Sequence, residues 1–98
     1  MGLEFALDEL YATGWSDLDS TGCSHIADGR AFPRAERVKA EFAAAGVDLT
    51  IERMEAFNCH RAHWKDVESG HPRAVVGHCE AEAAVYALAQ LRRQLVNA

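Results

Sequence analysis

Apolar residues recur at helical spacing in some segments and near alternation in others, and the order of those segments outlines a fold. Leu3, Leu7, Leu10 and Tyr11 fall three and four residues apart or adjacent, which predicts a helix over 3–13 with Gly14 as its C-cap. Trp15 to Gly29 is rich in Ser, Thr, Asp and Gly and reads as a loop or a short turn of helix. Phe32-Pro33 opens a second helix, because a first helical turn has no use for the N–H that proline lacks. Ala35, Val38, Phe42 and Ala45 form its apolar stripe, Arg34, Arg37, Lys39 and Glu41 project mostly outward, and Gly46 ends it.

From Val47 the period shortens to about two, the spacing of a strand. In Leu49 to Phe57, Leu49 and Ile51 share one face while Met54 and Ala56 share the other, so a bulge near Glu52-Arg53 is expected to restore a single apolar face. His60 to Asp66 is a second strand, with His60, Ala62 and Trp64 on one face and Arg61, His63 and Lys65 on the other. Asn58-Cys59 sits at the turn between them, Val67 to Pro72 is a loop, and Ala74 to Gly77 is a third short strand. The last helix runs from Glu80 to Val96, with Ala81, Ala84, Val85, Leu88, Leu91 and Leu95 lining one face.

The order predicts an α+β domain, an N-terminal helix followed by α-β-β-β-α. Its three strands form an antiparallel meander covered by helices on one face. With 98 residues the chain is one domain, divided here into an acidic helix-loop extension (1–28) and a core (29–98). Apolar runs are too short for a transmembrane span, and Met1-Gly-Leu-Glu-Phe lacks the character of a signal peptide, so a cytoplasmic location is expected.

Charge is distributed unevenly. Residues 1–28 hold six acids and no Lys or Arg, residues 29–46 sum to +2, and the rest sum to −1, giving the net −5. That asymmetry makes one acidic end and one mildly basic patch, and it argues against general binding to phosphate backbones.

The stretch Gly77-His-Cys-Glu-Ala-Glu-Ala-Ala-Val-Tyr-Ala-Leu88, together with the element order from Phe32 to Val96, resembles the double-stranded-RNA-binding domain. In that family a glycine at the end of the third strand leads through a small residue into a lysine-rich helix start. Here Cys79 takes the small-residue place and Ala83 matches the family's alanine, while Glu80, Ala81 and Ala84 stand where lysines belong. The resemblance implies the fold. It leaves Arg34, Arg37 and Lys39 as the patch for residual duplex-RNA contact, since Glu80 and Glu82 repel the phosphates that lysines bind.

Among chemistry-bearing residues, Cys59, His60, His78 and Cys79 form a candidate zinc site, as thiolate and imidazole are zinc's preferred ligands. Their spacing is not that of a zinc finger, and alternation on a strand would separate His60 from His63. Cys79 also begins a helix beside His78, the minimum of a reactive thiol. Asp17, Asp19, Thr21 and Gly22 match the first half of a calcium loop, but Asp28 stands where the closing glutamate belongs. The three cysteines are expected to be reduced. No nucleophile triad or phosphate-cradling loop is present, and no cofactor is expected apart from the zinc alternative. The leading expectation is a non-enzymatic module that binds a protein or a second copy of itself, with Trp15 as a candidate anchor.

Overall fold

The computed structural model describes residues 2–66 and 69–97, so part of the expected loop Val67–Pro72 lies outside the described residues. Its longest element, α3 (Glu80–Asn97), is the centre of the molecule. Ala83, Ala84, Val85, Ala87, Leu88, Ala89 and Leu91 are all buried, so the first half of α3 is enclosed on nearly every side. Sequence periodicity had given this helix a single apolar stripe. The alanines outside that stripe are buried because α1 (Leu3–Ala12) and α2 (Ala35–Ala44) also pack on α3. Leu95, expected on the stripe, is exposed.

The sheet is the antiparallel meander β3 (Thr50–Met54), β4 (Cys59–Lys65), β5 (Pro72–Gly77), as expected. Two shorter strands, β1 (Cys23–His25) and β2 (Ala31–Pro33), precede it in the chain. Ile51, Ala62 and Val75 lie opposite one another across the three strands and pack toward the core. Trp64, two residues along from Ala62, is buried against Phe42 of α2 with ring centroids 5.3 Å apart and edge to face. The expected bulge at Glu52-Arg53 is absent. Pairing runs unbroken from Thr50↔His63 to Met54↔Cys59, and the phase problem is solved by ending the strand. Glu55–Phe57 form a single 3-10 turn, and Asn58 closes it in the left-handed region that Asn tolerates. Cys59 belongs to the strand rather than the turn.

Residues 23–33 also depart from the expected loop and helix start. Cys23–His25 (β1) and Ala31–Pro33 (β2) form an antiparallel hairpin, so Pro33 ends a strand instead of opening a helix. Helix α2 starts at Ala35, with Arg34 as the extended residue before it. Proline fits because β2 pairs only with β1.

The extension 1–28 is part of the core. Ala6, Leu7, Leu10 and Trp15 join the central cluster, and a division at residue 28 would fall inside the β1–β2 turn. Helix α1 runs parallel to α3: Gly2 lies near the Glu82 carboxylate at one end, and Arg92 donates to the Thr13 hydroxyl (2.8 Å) at the other. Arg93 adds a 2.8 Å ion pair to Glu9.

Gly77 fixes how closely β5 enters α3. A Cβ there would stand 2.5 Å from the Ala83 amide nitrogen and 2.9 Å from Glu82 Cβ, where backbone cannot give way cheaply. Gly77→Ala is therefore expected to lose roughly 1–3 kcal/mol in urea unfolding, the usual range for overpacking. An unchanged midpoint would mean that strand and helix can part without cost.

Candidate interaction surface

The start of α3 gathers two of the expected chemical residues, His78 and Cys79, with Glu82 and gives them structural work. Cys79 precedes the helix, and its thiol accepts the Glu82 N–H at 3.5 Å, as a capping serine would. Glu82 reaches back to accept the His78 N–H at 2.8 Å, and its carboxylate also lies 3.4 Å from His78 Nδ1. This is a near relative of the capping box. It accounts for a glutamate that is 5% exposed inside an apolar helix.

Register places His60 opposite Gly77, so Cys59, His60, His78 and Cys79 do lie at one end of the sheet. Alternation then turns Cys59 outward and His60 inward. Among the described residues no group of three or more His, Cys, Asp and Glu side chains is disposed to hold a metal ion. Buried His60 Nδ1 and Trp64 Nε1 lack hydrogen-bond partners among the described residues.

Trp15, expected as an anchor for a partner, is instead buried, with its ring edge-on to Tyr11 at 5.4 Å. The basic patch is also largely committed. Arg34 donates to the Cys23 carbonyl and the Ser24 hydroxyl, at 3.2 and 2.9 Å. Arg37 bonds Glu41 at 2.8 Å and donates to the carbonyls of Asp19 (2.8 Å) and Thr21. Both arginines thus tie the acidic loop and hairpin onto α2, while Lys39 is exposed.

Two of the calcium-loop acids, Asp19 and Asp28, are likewise engaged. Asp19 accepts the Thr21 N–H at 3.1 Å, and hydrogen bonds from Thr21 hold its carboxyl below the ordinary value. Asp28 accepts the N–H and Nε of Arg30, both at 2.9 Å, and the backbone bond lowers its pKa most. Cys23, beneath this loop, has its thiol pushed up by burial, with Arg37 opposing.

What remains uncommitted is the outward face of β3–β4–β5. Strand alternation puts Thr50, Glu52, Arg61, His63, Lys65 and Val76 on it, and no described element packs over it. Glu52 is the one acid at these outward strand positions, 3.6 Å from Arg61 and 3.7 Å from His63. One end is apolar, with Met54, Cys59, Val76 and the nearby Phe57. The other end opens into a groove of about 690 Å³ between the α2–β3 loop and β4–β5, lined in part by Asp48, Thr50, His63 and Lys65. Arg61, His63 and Lys65 were legible as one face from alternation alone. The exposed apolar residues Phe57 and Leu18 carried no periodic signal.

No known protein family matches this chain, and no curated protein or solved structure is detectably similar to it.

Because Arg37 holds two loop carbonyls and is mostly covered while Lys39 is exposed, their truncations should separate. Arg37→Ala is expected to lower stability by roughly 1–3 kcal/mol. Lys39→Ala should stay within about 0.5 kcal/mol of the parent. Denaturant titration of both variants checks this, and equal effects would contradict the assignment of Arg37 as the tie between loop and helix.

Proposed function

We propose that this domain is a non-enzymatic interaction module that binds a protein surface through the outward face of β3–β4–β5. The observation that carries the reading is an uncovered sheet face with an apolar corner, where Val76 is 55% and Phe57 75% exposed. Full burial of a side chain of this size contributes ~1.5–3 kcal/mol, so a partner covering that corner gains from both. The charged rim around Glu52, Arg61 and Lys65 would set orientation and partner choice more than affinity.

Two alternatives have less support. Duplex-RNA contact needs cations at the start of α3 or on α2. Glu80 and Glu82 occupy the first, and Arg34 and Arg37 of the second are bonded within the molecule. A thiol or metal activity would draw on Cys79, whose thiol accepts the Glu82 N–H.

A photo-cross-linking benzoylphenylalanine in place of Val76 tests the reading in the cells that make the protein. A discrete protein adduct is expected from position 76 and none from the same group at Lys39. Absence of any adduct from the sheet face, or equal yields at both positions, would count against the face as the docking surface.

A further inference from the structure

We infer that this domain pairs edge to edge with a second copy of itself, β5 against β5 in antiparallel register, joining two three-stranded sheets into one. The inference concerns the edge of the sheet and goes beyond the reading of its outward face.

The ladder decides which backbone groups lie at that edge. The Asp66 N–H donates to the His71 carbonyl at 2.9 Å, which makes residues 66 and 71 a hydrogen-bonded pair in the register of β4 and β5. Alternation from there makes Arg73, Val75 and Gly77 bond to β4 and turns the backbone groups of Pro72, Ala74 and Val76 to the other side. No strand pairs with β5 on that side. Among the described residues no hydrogen bond engages the N–H of Ala74 or Val76.

The two edges of the sheet are guarded differently. Open edges are commonly protected by charge or by proline. Edge strand β3 carries Glu52 and Arg53, both exposed. Strand β5 has Pro72 at its start, but between Arg73 and Gly77 it offers only Ala74, Val75 and Val76, with Ala74 and Val76 exposed. That run of apolar residues beside free donors is a template for another strand.

The strand that fits is β5 itself. A two-fold axis through Val75 sets Ala74 opposite Val76 of the second copy, and each such pair exchanges two hydrogen bonds between groups that are free in the single chain. Arg73 falls opposite Gly77, so no like charges meet directly. Pro72, which has no N–H, falls opposite His78, whose N–H already goes to the Glu82 carboxylate at 2.8 Å. Pairing therefore leaves no donor stranded. Moving the axis to Ala74 would instead set the Val76 carbonyl against Pro72, which cannot donate to it. In the favoured register the exposed side chains of Ala74 and Val76 shield one another across the junction.

Amide hydrogen exchange followed by NMR on the purified full chain, from micromolar to millimolar concentration, tests the inference. In dilute solution the Ala74 and Val76 amides should exchange freely, while Val75 and Gly77 are protected by β4. At high concentration Ala74 and Val76 should slow by roughly tenfold or more, as the edge becomes paired. Sedimentation velocity should show a monomer–dimer equilibrium that salt does not weaken, because the contact contains no ion pair. Ala74→Pro removes a donor at the junction and is expected to raise the dissociation constant by roughly tenfold or more. Val76→Lys sets like charges beside the axis and should raise it by about fivefold. The Val76 side chain is exposed, so this second variant serves if circular dichroism shows that Ala74→Pro disturbs the fold.

A chain that stays monomeric at millimolar concentration overturns the inference. So does a dimer in which Ala74 and Val76 exchange as fast as in dilute solution, since its contact then lies elsewhere. Edge and face fail separately. A Val76 cross-link to a different protein supports the docking face whatever the oligomeric state, whereas an adduct of twice the chain mass supports the edge pairing alone.

Discussion

Helix α3 must touch a three-stranded sheet, α1 and α2 at the same level, and that requirement governs much of the rest of the chain. Only small side chains let a helix approach several neighbours at once. The run of Ala83, Ala84, Ala87 and Ala89 supplies them, buried, in the residue that also has the highest helix propensity. Larger side chains fill the spaces between elements, with Val85 and Leu88 from α3, Leu7 and Leu10 from α1, and Phe42 from α2. Gly77 is the counterpart in the sheet. Its missing side chain lets the end of β5 run directly into the first turn of α3.

The same requirement explains why so many reactive-looking residues do structural work. At the start of α3 the Cys79 thiol accepts the Glu82 N–H, and the buried Glu82 carboxylate accepts the His78 N–H. The polar loop from Trp15 to Gly22 has little core of its own, so Arg37 holds its carbonyls. Arg30, which bonds Asp8 and Asp28, ties the hairpin to α1 in the same way. With these groups engaged, the outward sheet face is the broad surface left uncommitted. No helix among the described residues is long and apolar enough to cross a membrane.

Periodicity made the three helices and the three-stranded meander legible, because stripes and alternation report directly on which side is buried. It also separated Arg61, His63 and Lys65 from Ala62 and Trp64. The β1–β2 hairpin was missed since its strands are only three residues each, too short for a period to emerge. The Asp28-Gly29 pair was the available signal, as that dipeptide commonly marks a hairpin turn. Pro33 misled for a related reason: a proline before an amphipathic run fits a helix start and an edge-strand end equally well. The enclosure of α3 was hidden because alanine reads as neutral in a hydrophobic stripe. Trp15 follows a helix end, a position from which a candidate anchor and a packed side chain read alike, and packing against Tyr11 buries it.

One face of the sheet is committed to the core, while no described element packs over the other. Methyl NMR with a soluble paramagnetic chelate, recorded in dilute high-salt solution, tests it most directly. Signals from Val76 should broaden strongly, while those of Ala62 and Ala84 stay sharp. Protection of Val76 in the isolated molecule would contradict the account, because something in the chain itself would then cover the face.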